Sequence, residues 1–410
     1  MKLVSSLLLC ALAFSVQTLS AQAAGAALPS PTTAASARVA DISKDIVDET
    51  MVRLPTAADL GEWGYAPALF LLGDMNVYQR THDPKYLAYA KSWMDSHIDA
   101  QGNVDVNVQS LDWIMPGNLA VVLYQQTGDV RYKLAADKLA AHFTNYPRIS
   151  DGGFWHMTDD DHAHQLWLDG TYMALPFMLR QASISGSQDK ADAEAASQLI
   201  IYGNHLRDAH GPLYFHAYDE SGKQPWADPV THQSPEKWGR SIGWYCMALV
   251  DALDALPKSP ASPALRAQRK QLITIVQHMA ADLKSLQDPA TGLWFQIIDK
   301  PTLPGNFLET SSSSMFTYFL DISVKRGYID HSYRSAAMRG YHGVLTHVVM
   351  GADGKFHIVD ISEGTNVGDA AYYLARHRYP DDYHGLGAFL LMNEEVQFNH
   401  AAMQVKRPAR

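Results

Sequence analysis

The segment Val77-Tyr78-Gln79-Arg80-Thr81-His82-Asp83-Pro84-Lys85-Tyr86 returns 46 residues on as Leu123-Tyr124-Gln125-Gln126-Thr127-Gly128-Asp129-Val130-Arg131-Tyr132. A weaker copy runs from Lys325-Arg326-Gly327 to Tyr333. Each copy reads as a helix end, a tight turn with Asp, and a new helix opening on Tyr and small residues. A helical hairpin repeating every ~45 residues is the signature of stacked repeats. Periodicity from residue 40 onward is helical almost throughout, with expected helices at 41–54, 63–80, 84–98, 111–127, 130–144, 165–183, 187–206, 236–256, 263–286, 309–326, 331–348 and 383–396. Short strands are expected at 154–157, 213–216, 293–298 and 355–359. Six hairpins use up this length. Closed into a ring they give an all-α (α/α)6 barrel with short strands in its rim loops, and open they give a solenoid. Alternate loops are long and rich in Trp, His, Gly and Asp, which favours the ring, because such loops gather at one rim as binding loops do on a rigid scaffold.

The ends read differently. Lys2, the apolar run Leu3 to Val16 and Ala21-Gln22-Ala23 predict a secretory signal over 1–23. A flexible segment follows over 24–40, then one barrel domain over 41–396 and a frayed tail over 397–410. The apolar run is short of the ~20 residues a membrane span needs, so an exported protein, periplasmic or secreted, is expected. Beyond Cys10 in the signal only Cys246 remains, so no intramolecular disulfide is available, and Cys246 reads as core. The formal charge of −10 and the lack of a basic block argue against nucleic-acid binding.

Chemistry concentrates in the long loops. In His164-Gln165-Leu166-Trp167-Leu168-Asp169-Gly170-Thr171-Tyr172-Met173 a single carboxylate sits in an apolar, aromatic run. A helix through it would place Leu166, Tyr172 and Met173 around Asp169 and bury it. An unpaired buried carboxylate costs several kcal/mol or takes up a proton, so a chain keeps one mainly to use that proton. The competing reading is a plain N-cap before Gly170. Capping lowers the pKa, whereas apolar burial or a second carboxylate raises it. Asp112, in Leu111-Asp112-Trp113-Ile114-Met115-Pro116-Gly117, carries the same ambiguity. The Asp/His run from Asp159 to His164 fits neither a calcium-loop nor an i, i+4 zinc spacing and reads as a solvated loop. In Trp238-Gly239-Arg240-Ser241-Ile242-Gly243-Trp244 an arginine between tryptophans suits either a sugar carboxylate or a structural cation–π cluster. Thr310 or Ser311 is expected to cap a late helix.

Together these segments resemble the unsaturated rhamnogalacturonyl hydrolases, a glycoside hydrolase family with an (α/α)6 barrel. The resemblance spans about residues 40–395 and rests, in order, on Gly152-Gly153-Phe154-Trp155-His156, Gln165 to Gly170, His216 with Asp219-Glu220, Trp238 to Trp244, Leu308-Glu309-Thr310-Ser311 with Met315, and His384-Gly385-x-Gly387-Ala388-Phe389. It implies that Asp169 is the catalytic acid, with Asp112 a second acid in the site. It also implies that His216, Trp238, Arg240 and Trp244 line the sugar pocket, together with His156 and Tyr65. Trp167, from the same run as Asp169, joins these candidate contacts. The implied partner is an oligosaccharide ending in a 4,5-unsaturated uronic acid, galacturonyl by default, and neither metal nor organic cofactor is implied. In such a reaction the acid protonates C4 and water adds at C5, unlike the two-carboxylate scheme of ordinary glycosidases. Protonating carbon near neutral pH calls for an acid of raised pKa, expected here from apolar burial and from Asp112. Related unsaturated glucuronyl hydrolases take other uronides. An inverting glycosidase, a sugar epimerase or a glycan-binding protein on the same barrel are the alternatives.

Overall fold

The computed structural model describes residues 41–399. The expected signal over 1–23, the segment 24–40 and all but the first residues of the tail lie outside them. Twelve long helices follow in order: α1 (Ile42–Arg53), α2 (Tyr65–Thr81), α3 (Pro84–His97), α4 (Gly117–Thr127), α5 (Val130–Ala141), α6 (Gly170–Ser185), α7 (Gln188–Leu206), α8 (Gly239–Ala255), α9 (Pro263–Leu286), α10 (Thr310–Lys325), α11 (Arg334–Leu345) and α12 (Tyr383–Phe398). The even-numbered helices pack side by side as α2, α4, α6, α8, α10 and α12, and α12 returns to α2. This ring is closed. The odd-numbered helices lie outside it, α3 against α2 and α4, α5 against α4 and α6, and so on around. Sequence explains the division: α6, α8 and α10 are buried along nearly their whole length, whereas α9 buries only Leu265, Leu272, Val276, Met279, Ala280 and Leu283. An inner helix must be apolar or internally bonded all round, and an outer helix only along one stripe.

The echoes are the turns from inner to outer helices. His82 and Gly128 take left-handed φ at the ends of α2 and α4, and Asp83 and Asp129 then cap α3 and α5 through Lys85 N–H and Arg131 N–H. The closing seam is tied by Arg80 of α2, which reaches Glu394 of α12 and Asp41, each at 2.8 Å. Because inner helices end at these turns, their N-termini all face the opposite rim. No described helix is long and apolar enough to cross a membrane. Cys246 is buried in α8, its thiol pushed up by burial.

Several boundaries differ from expectation. The helix expected over 165–183 starts only at Gly170, because Gln165–Trp167 form strand β1, antiparallel to β2 (Ala217–Asp219) with Leu166 opposite Tyr218. The expected strands at 154–157, 213–216 and 293–298 are reduced to single bridges, Arg148 to Phe154 and Phe295 to Leu308 among them. The 355–359 expectation holds as β4 (Phe356–Ile358), paired with β3 (Val348–Met350). A third pair, β5 (Ile361–Ser362) and β6 (Arg378–Tyr379), was not foreseen. The cap of α10 is neither Thr310 nor Ser311 but Glu309, whose carboxylate accepts the N–H groups of Ser311 and Ser312. The first two residues of the expected tail over 397–410 are helical, since α12 runs to Phe398, and residues 400–410 lie outside the described residues.

Candidate active site

At the rim where the inner helices begin lies a cavity of about 360 Å³, within the range of small-molecule sites. Its walls include Gly64 to Pro67 at the start of α2, Asp112 and Trp113, His156 and Met157, Trp167, Asp169 and Met173, Gly364 to Asn366, and His384 of α12. The N-terminal ends of α2, α6 and α12 thus border it. Neither α2 nor α6 has a side-chain cap, so their dipoles favour an anion, whereas Asp382 caps α12.

The rim loops are stitched by backbone bonds that set the register of the site. Leu111 N–H donates to His156 O, His156 N–H to Gln165 O, and Leu168 N–H to His216 O. Asp112, His156, Asp169 and His216 come from four separate segments and are brought together by these bonds. Asp112 sits in a single helical turn, Leu111–Trp113, capped by Ser110 rather than capping α4 itself. Gly170 is required next to the acid. A Cβ there would stand 2.9 Å from Leu111 Cδ1 and 3.0 Å from the Tyr202 hydroxyl.

Asp169 occupies the N-cap position of α6 without capping it. Its backbone is already helical (φ −54, ψ −40), and its side chain accepts no bond from the helix. Oδ2 instead lies 3.0 Å from His216 Nε2, a close but poorly aligned ion-pair contact that leaves neither atom a well-formed hydrogen bond. Burial pushes this carboxyl up, but the His216 ring, and more distantly His156, outweigh it, so Asp169 sits below the usual carboxylate range. The expected raised pKa is therefore corrected. The reason is a neighbour from another segment that the local sequence did not disclose. His216 is fully buried; its Nδ1 is 2.6 Å from the Tyr373 hydroxyl, which also accepts the Gly368 N–H at 3.3 Å. With the Tyr373 proton then directed at Nδ1, Nε2 carries the hydrogen that faces Asp169.

His156 stacks on Trp167, with centroids 4.6 Å apart and planes 13° apart, and its Nε2 is 3.6 Å from Asp112. Burial depresses this imidazole, yet Asp112 and then Asp169 hold it above the ordinary value. The cavity thus has two carboxylate–histidine pairs side by side.

Of the sequence candidates, Tyr65, Asp112, His156, Trp167 and Asp169 line the cavity, while His216, Trp238, Arg240 and Trp244 stand behind its wall. The expected grip of Arg240 on a substrate carboxylate is corrected. Its guanidinium, 1 % exposed, donates to the backbone carbonyls of Ser362 and Glu363 and lies 4.6 Å over the Trp238 ring. It fixes the strand that leads into Gly364 to Asn366. The glycines beside it serve helix packing rather than a ligand, since a Cβ on Gly243 would meet Met315 Sδ at 2.6 Å. Trp244 stacks on Tyr172 at 4.9 Å and props Tyr65 edge-on at 6.1 Å. Trp238 stacks on Tyr373 and leans on His216.

Sequence reasoning missed Tyr373, which orients His216, and gave no role to Asp382 or His384. Tyr373 has no local signal, whereas His384 belongs to a motif already singled out. The Asp159–His164 run closes on itself, with Asp159 accepting from the N–H groups of Asp161 and His162 and from the His162 ring. Among the described residues no cluster of three metal-ligating side chains occurs.

The model of glycosyl hydrolase family 88 matches residues 42–399. The unsaturated rhamnogalacturonyl hydrolase YesR of Bacillus subtilis is 26% identical over 259 residues, covering 62% of this chain and 68% of that protein. A family 105 glycoside hydrolase structure from C. acetobutylicum superposes with a TM-score of 0.80 at 33% identity, over 86% of this chain and 98% of that one. The unsaturated glucuronyl hydrolase of Bacillus sp. GL1 shares the fold, with a TM-score of 0.62 at 15% identity over 85% of this chain and 90% of its own. A helical ring with acids and histidines gathered where its inner helices begin, matched over nearly all described residues, places the chain in glycosyl hydrolase family 88, as a glycoside hydrolase.

Proposed function

We propose that this enzyme removes a 4,5-unsaturated uronic acid, galacturonyl linked to rhamnose by default, from the non-reducing end of oligosaccharides left by polysaccharide lyases. The observation that carries the reading is the Asp169–His216 pair at 3.0 Å on the wall of a cavity bordered by helix N-termini. The likeness to YesR supports the choice of uronide. In the reaction, Asp169 in its protonated form delivers the proton to C4 of the enol ether. Water adds to C5 and loses its proton to the Asp169 carboxylate. The resulting hemiketal opens and expels the aglycone as an alcohol, so no acid is consumed. The uronate carboxylate, next to the uncapped N-terminus of α6, brings negative charge into the site. That charge and the exclusion of water raise Asp169 toward a proton-bearing state, which the free cavity disfavours. Export through the signal over 1–23 fits a substrate made outside the cytoplasm.

The test is a Δ4,5-unsaturated galacturonyl-rhamnose disaccharide, followed by the ~235 nm absorbance of its double bond with wild type and Asp169→Asn side by side. Loss of absorbance with wild type alone is the expected result. Cleavage of saturated substrates without any loss with unsaturated ones would overturn the reading. A Δ4,5-glucuronyl disaccharide in the same assay separates the second reading, an unsaturated glucuronyl hydrolase. An inverting glycosidase would lose turnover as fully through Asp112→Asn as through Asp169→Asn.

A further inference from the structure

A hydrogen-bonded chain of three side chains crosses the seam where α12 closes the barrel against α2. His384 Nε2 lies 2.7 Å from the Tyr65 hydroxyl. On the far side of the ring, Nδ1 is held by Asp382 Oδ1, the same oxygen that caps α12 by accepting the His384 N–H at 2.9 Å. His384 is 8 % exposed, and both it and Tyr65 face the cavity. Tyr65 cannot swing away, because Trp244 stands edge-on behind it and the His384 ring crosses it at 5.2 Å.

The chain has a direction. Burial raises the Asp382 carboxyl, but the bonds to His384 outweigh it and keep the group below the usual carboxylate range. An ionised carboxylate only accepts, so His384 Nδ1 carries the hydrogen, and in the neutral ring Nε2 is a bare acceptor. The Tyr65 proton then points at Nε2, and what the phenol offers the cavity is oxygen lone pairs.

We propose that Asp382 and His384 are positioning residues that fix Tyr65 as a hydrogen-bond acceptor toward the cavity, so that this wall selects a ring hydroxyl of the bound sugar and turns away its carboxylate. The proposal rests on the uronide reading of the site. It also places the sugar's carboxylate away from the α2–α12 seam, since an acceptor-only oxygen backed by an ionised aspartate repels it.

Two readouts test it. The first needs no substrate. Long-range 1H–15N correlation spectra at pH 7.5 report the tautomer of the His384 ring, its signal identified by its loss in His384→Gln. The Nδ1–H tautomer is expected, and an Nε2–H ring or an imidazolium would overturn the proposal. The second is kinetic, on the unsaturated disaccharide. Tyr65→Phe is expected to raise KM about tenfold with kcat within about twofold, the scale of one lost hydrogen bond. Asp382→Ser keeps a helix cap while removing the carboxylate, and should raise KM by a smaller factor. Combined with Tyr65→Phe it should add nothing further. Losses that multiply in the double variant, or that fall on kcat at unchanged KM, would sink the positioning role. Should wild type leave the disaccharide intact, the reading of the reaction fails and the tautomer alone decides the proposal.

Discussion

Asp169 at the rim and Asp251 inside the barrel wall are both shut off from water, at 8 % and 1 % exposure. Burial pushes both carboxyls up, yet they end on opposite sides of the ordinary value. Asp169 falls below it because the His216 ring lies 3.0 Å away. Asp251, on α8, is pushed up to about 8; the Tyr318 hydroxyl donating to Oδ1 at 2.9 Å and the charge of Arg180 offset only part of the desolvation, and Asp254 adds to it. The partner, rather than the depth, decides which proton state a buried carboxyl takes. One end of the inner helices holds an ionised carboxylate against a histidine ring. The other holds a carboxylic acid that acts as part of the packing.

The largest way to break this contrast is chemical. Asp169→Asn should cut hydration of the unsaturated disaccharide by at least ~100-fold, the range of a lost general acid, while Asp251→Asn leaves kcat within a factor of about two. Equal losses from both would erase the distinction. Stability should reverse the ranking. Asp251 has a folded pKa raised from about 4 to about 8, so the folded state holds the extra proton in that window and stability falls as pH rises through it. Asp251→Asn keeps an acceptor for Tyr318 and removes this dependence. It should therefore stabilise the protein by a few kcal/mol at pH 8, measured by urea unfolding, with little effect at pH 4. Asp169, depressed in the fold, contributes stability above about pH 4 that is lost as pH falls through its lower folded value.

A subtler variant sharpens the rim itself. His216→Phe keeps a ring against Trp238 but removes the Nε2 group that faces the carboxylate, so the Asp169 carboxyl should rise and the limb of the kcat/KM profile that needs its proton should move to higher pH. Turnover at neutral pH should still fall, by about 10- to 100-fold, because the orienting contact is gone. In wild type the same logic predicts kcat/KM rising as pH falls below neutral. The smallest effect concerns His156, whose folded pKa is raised mainly by Asp112. Its contribution to stability is complete below about pH 6.5 and lost as pH rises through the folded value. Asp112→Asn should remove that slope, and a slope unchanged in the variant would show that Asp112 does not hold the proton on His156.

The site was half legible. Asp169 and Asp112 stood out as lone acids in apolar runs and Trp167 by its place beside Asp169, whereas His156 and Tyr65 entered through the family resemblance; all five line the cavity. Their grouping was not legible, since it depends on bonds such as Leu168 N–H to His216 O between segments far apart in the chain. Arg240 misled for the same reason. Its neighbours in sequence are tryptophans and glycines, but its neighbours in space are the carbonyls of Ser362 and Glu363. Tyr373 lay in a stretch with no periodicity to read, and its role exists only because its hydroxyl reaches His216.

By itself the sequence determined the repeated helical hairpin, while closure of the ring rests on the contact of α12 with α2. Helical period, capping aspartates and left-handed turn residues are local properties, each set within a few residues of the atoms they act on, and the repeated hairpin fixes how the helices alternate. The tertiary structure alone decided the proton chemistry. The charge of Asp169, the direction in which Tyr65 donates and the duty of Arg240 each depend on one or two atoms brought within about 3 Å by loops from other hairpins. Electrostatic interactions in a water-poor pocket change steeply over that distance.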